Sequence, residues 1–297
     1  MDPGPNMRET LATLEAELDR RGRSLHEVEL ILLTHQHHDH VGLAEHVREA
    51  SGATVAAVGP LADFLEDLDQ SLEMDDRYAV ATMLHNGVDA AVAESLQELS
   101  HAFRRFSHGT HVARRLVDGD RLIAGGRTFT VLSRPGHSPT DTVFHDESDG
   151  LLIGGDHLLE RISSNPLAQW PVGTPDPDRA ARAPDRRRPL IDYLDSMQRT
   201  AELDVSVVLP GHGEPFADHR ALVERRRRLH HRRARKILRT LEQAATAADL
   251  AGRLWRHVPV TEAYLALSEA LAHLDLLESE GLVRRHVDRD VAVYERA

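Results

Sequence analysis

The sequence predicts an α+β fold, with a large part in which strands alternate with helices and a smaller helical part that closes on a β-hairpin. Three observations carry this. Four short apolar runs of strand length, Val28 to Leu33, Phe129 to Leu132, Leu151 to Ile153 and Val205 to Leu209, are each followed within a few residues by histidine or aspartate. Residues 61–111 are helical in pattern and poor in strand formers. From about Asp218 the chain turns continuously helical and then ends in two further strand-like runs.

The elements follow in order. Leu11, Leu14 and Leu18 recur at helical spacing between Met7 and Arg21, and Gly22 breaks the helix before the strand from Val28. A helix is expected from Asp39 to about Ala50, and a strand from Ala53 to Val58 that Gly59-Pro60 ends. Residues 61–111 read as a helical insertion. From Asp118 short strands are punctuated by Gly125-Gly126, Pro135-Gly136, Ser148-Asp149-Gly150 and Gly154-Gly155. Five prolines between Arg161 and Arg188 make that stretch a long ordered loop, ahead of a helix from about Pro189 to Glu202. In the tail, Thr246 and Asp249 form a capping box, and Tyr264, Leu267, Leu271, Leu274 and Leu277 make a helical stripe closed by Gly281. Strands from Leu282 to Val287 and Val291 to Tyr294 flank an Asp288-Arg289-Asp290 turn. Two helices and a hairpin after a longer helix is the pattern of a winged helix.

Composition narrows the chemistry. With 297 residues and 41% apolar content the chain can fill a sizeable core. A net charge of -12 argues against general attraction to nucleic acid or anionic membrane. The absence of cysteine removes disulfides, thiolate metal sites and a cysteine nucleophile. No apolar run approaches the ~18 residues of a membrane span, and Met1 is followed by Asp2-Pro3 rather than a signal segment, so a cytoplasmic protein without membrane contact is expected.

The ligand-bearing strand ends define the chemistry. Thr34-His35-Gln36-His37-His38-Asp39-His40 offers His35 and His37 two apart in an extended segment, where both can reach one ion, while Asp39 and His40 open a helix and turn toward a second. Pro135-Gly136-His137 completes the first set and Pro210-Gly211-His212 the second. Asp156, after Gly154-Gly155, can give one oxygen to each. Two ions so held lie about 3.5 to 4 Å apart and share a water whose deprotonation supplies a nucleophile. Nitrogen ligands suit two zinc ions, with iron or manganese also compatible. Asp39, Asp156 and His212 are the candidate catalytic residues. Histidines 38, 46, 85, 101, 108, 111, 145 and 219 are read as structural, and His157, beside Asp156, as a supporting group.

These residues resemble the metallo-β-lactamase superfamily, whose His-x-His-x-Asp-His signature is met at residues 35–40, over roughly residues 1–219. The resemblance implies a four-layer αββα sandwich with a dinuclear site at one edge, spanning residues 1–225, followed by a connecting helix and winged-helix domain over residues 226–297. Having no cysteine, the chain differs from the thiolate-using β-lactamases, and Asp156 resembles the bridging carboxylate of the glyoxalase II, lactonase and RNA-processing branches. The tail is similar to the β-lactamase-like 2 group. Asp2-Pro3-Gly4 resembles the end of an early strand that family members reach after an upstream hairpin, so missing N-terminal strands are expected.

The expected activity is therefore hydrolysis of an ester, thioester or lactone by a metal-bridging hydroxide, on a small-molecule or carrier-bound acyl substrate. Arg161, Asn165 and Trp170, on the loop after Asp156, are the candidate substrate-binding residues. Two alternatives rest on the tail. The basic stretches Arg225 to Arg228 and Arg232 to Lys236 would position RNA for an endoribonuclease, or serve a non-catalytic nucleic-acid-binding regulator. A winged helix also serves as a homodimer contact.

Overall fold

The computed structural model describes all residues from Met1 to Ala297. Three parallel strands, β1 (Leu30–Leu32), β2 (Thr54–Val58) and β3 (Arg114–Leu116), form the first sheet in that order. Parallel neighbours need crossover connections, and both are helical. β1 reaches β2 through α2 (His38–Val41) and α3 (Ala44–Ser51). β2 reaches β3 through α4 (Gly59–Glu66), α5 (Leu68–His85) and α6 (Ala90–Phe103), which together are the expected insertion. Val55, Ala56 and Ala57 are fully buried, as a strand covered on both faces requires. A preceding helix, α1 (Arg8–Arg20), lays Leu11, Leu14 and Leu18 against the core.

The second sheet has five strands, β4 (Arg121–Ala124), β5 (Arg127–Ser133), β6 (Thr142–Asp146), β7 (Leu151–Gly155) and β8 (Val207–Pro210), ordered as numbered. Its first four are antiparallel hairpin neighbours, whereas β8 runs parallel to β7 after a crossover through α7 (Pro177–Arg182) and α8 (Pro189–Ala201). The Thr142 amide donates to the Thr34 carbonyl at 3.0 Å, tying the end of β1 to the start of β6 in the other sheet. The result is a mixed α+β architecture in which one cluster of 58 buried hydrophobic residues runs through both sheets and their helices.

The tail comprises α9 (His219–Thr240), α10 (Ala247–Leu254), α11 (Ala263–Ser279) and a hairpin of β9 (Val283–Asp288) with β10 (Val291–Arg296). The Thr246–Asp249 capping box forms with both hydrogen bonds at 3.0 Å. Arg289 and Asp290 take positive φ, 46° and 66°, to close the hairpin turn. Helix α11 packs on α5, α8, α9 and α10, and its Leu267, Leu271, Leu274 and Leu277 join the common core.

Two expectations are corrected. The helix expected from Asp39 to Ala50 is two, because the Leu43 amide donates to the Gly4 carbonyl at 2.9 Å instead of continuing the first helix; beside it, a Cβ on Gly42 would stand 2.2 Å from the Phe106 carbonyl and 2.3 Å from the Asn6 amide. The loop from Arg161 to Arg188 contains α7, which Asp176 caps by accepting the Arg179 amide while Pro177 supplies the first helical residue.

Candidate metal centre

All seven expected ligands come together at one edge of the two sheets. His35, His37, Asp39 and His40 follow β1 and enter α2; His137, Asp156 and His212 follow β5, β7 and β8. His37 Nδ1 lies 3.0 Å from His35 Nε2 and 3.0 Å from His137 Nε2. Asp39 Oδ2 lies 3.2 Å from His212 Nε2 and 3.7 Å from His40 Nε2. Asp156 stands between the two groups, with Oδ1 3.5 Å from His40 Nε2 and Oδ2 3.5 Å from His212 Nε2 and 3.7 Å from His137 Nε2.

The outward faces of the rings fix their tautomers. Thr34 Oγ1 donates to Asp2 Oδ2 at 2.7 Å, so it accepts from His35 Nδ1 at 2.9 Å. The same Asp2 Oδ2 accepts from His40 Nδ1 at 3.1 Å. His137 Nδ1 donates to the main-chain carbonyl of Asn165 at 2.9 Å. His35 and His137 therefore present a bare Nε2 inward, and His40 directs its Nε2 to the same place. His37 Nε2 lies 3.1 Å from the Gln169 side-chain amide, and with the amide oxygen turned to it His37 Nε2 donates and Nδ1 is left bare.

That arrangement fits a cation. Three lone pairs at 3.0 Å repel unless something positive lies among them. On the other side, His40 Nε2 and Asp156 Oδ1 are buried with no hydrogen-bond partner. Burial, reinforced by the neighbouring histidines, holds His35 well below the usual imidazole range, and burial with His137 brings His37 down to about 3, so both are neutral at physiological pH, as metal ligation would require. Burial opposes a charge on His40 as well, yet Asp156 and Asp2 push it up to about 10. The carboxylates thus attract positive charge to this point, and a metal binding there displaces a proton. Burial alone would raise Asp39, but the hydrogen bond from His212, then His40 and His37, brings it below the usual carboxylate range.

Close backbone approach holds the loops together. A Cβ on Gly211 would come within 2.3 Å of Asp156 Oδ1 and 2.8 Å of His40 Cε1, and one on Gly136 within 2.5 Å of the Tyr193 Cα. Gln36 Oε1 accepts from Ser138 Oγ at 2.7 Å and from Thr140 Oγ1, linking the first ligand loop to the one carrying His137. Asp39 and His212 are the open side, with side chains 38% and 46% exposed, whereas Asp156 is buried.

The candidate substrate residues divide. Asn165 supports His137 through its carbonyl and donates its side-chain amide to the Leu265 carbonyl at 3.2 Å. Trp170 is buried in the core, donating Nε1 to the Thr174 carbonyl and its main-chain amide to Asp75. Arg161 is exposed. The loop's contribution to the cavity beside the metal centre is Leu167 and Gln169, with His37 and His38 on the same wall. His157 does not support a ligand: its Nε2 is used by Thr200 Oγ1 at 2.9 Å, and burial beside Arg134 brings it down to about 3. Asp2, Thr34 and Gln169 are the supporting residues that sequence reasoning missed. Only their polar character at strand ends and loop tips was available as a signal.

Comparison with known proteins agrees with this geometry. The model of the metallo-beta-lactamase superfamily matches residues 1–212. A probable metallo-hydrolase of Bacillus subtilis (strain 168) is 31% identical over 286 residues, 94% of this chain and 84% of that protein. An acyl-coenzyme A thioesterase of Gallus gallus is 27% identical over 195 residues, 64% of this chain and 58% of its own length. The crystal structure of a metallo-beta-lactamase family protein from Thermus thermophilus is similar with a TM-score of 0.80 at 29% identity, covering 100% of this chain and 89% of that one. With two-thirds of its length matched by the family model and a metallo-hydrolase relative along nearly all of it, this chain belongs to the metallo-beta-lactamase superfamily and is a hydrolase.

Proposed function

We propose that the chain is a dinuclear zinc hydrolase acting on an acyl ester or thioester. The observation that carries this is Asp156, whose carboxylate faces both donor groups at once, His40 on one oxygen and His137 and His212 on the other. His35, His37 and His137 would hold one ion and Asp39, His40 and His212 the other, with Asp156 common to both. Divalent ions in such a donor set act as Lewis acids and make a shared water acidic enough to serve as nucleophile near neutral pH.

The protein's own groups do the rest. Thr34, Asp2, Gln169 and the Asn165 carbonyl hold the imidazoles in the ligating tautomer, so no reorganisation is needed during the reaction. Asp39 and His212 form the solvent-facing side of the set, 38% and 46% exposed, and in this reading they also serve the exchange of protons between the reacting group and solvent. An acyl substrate is further supported by the thioesterase relative.

The RNA reading has less to work with. Arg226 donates to the carbonyls of Leu159, Glu160 and Ile162, Arg228 pairs with Glu224 and Arg233 with Glu269, so the basic helix spends much of its charge internally. The test is a parallel hydrolysis panel of acyl thioesters, esters, lactones, phosphodiesters and single-stranded RNA, with metal analysis of the purified protein. Expected are about two zinc per chain, turnover of the acyl compounds, and loss of that turnover by at least about a hundredfold in Asp156→Ala. RNA cleavage without acyl turnover, or a single iron per chain, would overturn the proposal.

A further inference from the structure

A cavity of about 410 Å³ opens beside the metal centre, within the usual size range of small-molecule sites. His37, a metal ligand, stands in its wall with Gln169, and beyond them the lining is mainly aliphatic and aromatic, including Val80, Met83, Leu96, Phe103 and Leu265. Besides the segment carrying His37 and His38, the walls come from three places: α5 and α6 of the insertion, the loop after Asp156, and the start of α11 in the tail. Phe103 and Leu265 remain 46% and 41% exposed although both belong to this cleft. Large apolar side chains left in solvent around a cavity mark a surface that an apolar ligand covers.

The acids in the wall have other commitments. Asp76 pairs with Arg104 and accepts from Ser100 Oγ at 2.6 Å, and Asp75 accepts the Trp170 amide at 2.9 Å. No arginine or lysine lines the cavity, so it has no fixed positive charge to recognise a phosphate or a nucleotide. We infer that this cleft holds the aliphatic chain of the acyl group, with the scissile carbonyl beside His37 and the tail module serving as one wall. The inference rests on the acyl-hydrolase reading above and makes the insertion and α11 the determinants of chain length.

The test uses the zinc-loaded full-length protein with p-nitrophenyl esters from acetate to decanoate, and calorimetric titration with the straight-chain alkanoates acetate to octanoate. While chain atoms are entering the cavity, kcat/KM should rise about fourfold per methylene, and alkanoate dissociation constants should tighten in step with a negative heat-capacity change. Val80→Phe, which grows into the space, and Leu265→Asp, at a site exposed enough to tolerate the charge, should each lower the octanoate-to-acetate ratio of kcat/KM by at least about tenfold. Ester turnover with a flat length profile and length-independent alkanoate binding would overturn the inference and leave the hydrolase reading standing. Length-dependent alkanoate binding without turnover of any ester or thioester would uphold the cavity assignment and overturn the acyl-hydrolase reading.

Discussion

Asp2 lies well away in sequence from every ligand, yet one of its oxygens serves two of them: Oδ2 accepts from His40 Nδ1 and from the Thr34 hydroxyl that in turn orients His35. Its Oδ1 accepts the Thr34 amide at 2.9 Å. Removing this carboxylate should free both imidazoles to rotate or change tautomer, and partners of this kind are worth about 10- to 100-fold in metal affinity. Asp2→Ala should therefore weaken zinc by that factor in chelator competition, whereas Asp2→Asn, which keeps an acceptor, should lose less; equal affinities for all three proteins would sink the assignment. The proposed ligands could be picked out because their spacing is local: His35, His37, Asp39 and His40 fall within six residues. Asp2 was not, since its role depends on a chain reversal that brings Gly4 and Asp2 alongside His40 and Leu32.

At the scale of elements, strands were the easier part to read, since each ligand sits where an apolar run gives way to a turn. What could not be read was how closely those turns approach one another. Helix α2 ends where the Leu43 amide turns to the Gly4 carbonyl, and only glycine fits beside it at 42, against Phe106 and Asn6; all three contacts are distant in sequence. Gly211 is the functional counterpart. Its missing side chain leaves room for Asp156 Oδ1 and His40 Cε1, and a methyl group there would have to displace one of them. Displacement of a reacting group by about 1 Å costs on the order of a hundredfold in rate. Gly211→Ala should lower kcat/KM by at least that much, while its exposed position limits the change in unfolding midpoint of the metal-free protein to a few degrees. Wild-type turnover in this variant would show that the loop yields instead of the carboxylate.

For the whole molecule, the question is what the tail contributes. A separately folded appendage would touch the rest of the chain through polar, mobile contacts. Here Leu271 and Leu274 are buried to within 1% in a core continuous with both sheets, Arg186 of the long loop is ion-paired with Asp275 at a site where both side chains are almost fully covered, and Arg188 pairs with Glu278 at 2.8 Å. The loop that supports His137 is also stitched to α11, through Asn165 to the Leu265 carbonyl and through the Tyr264 hydroxyl to the Ala168 carbonyl. Cutting the chain after Thr240 would expose that core face and leave Arg186 without its partner. Breaking such a buried pair alone costs about 3 to 5 kcal/mol, a large share of the roughly 5 to 15 kcal/mol that holds a typical domain. The shortened chain should lose its cooperative thermal transition, and Leu274→Ala in the full-length protein should cost about 2 to 5 kcal/mol in a single transition that near-ultraviolet circular dichroism and activity report together. A chain ending at Thr240 that unfolds cooperatively within a few degrees of the full-length protein would instead make the tail an independent unit, and would remove α11 as a necessary wall of the substrate cleft.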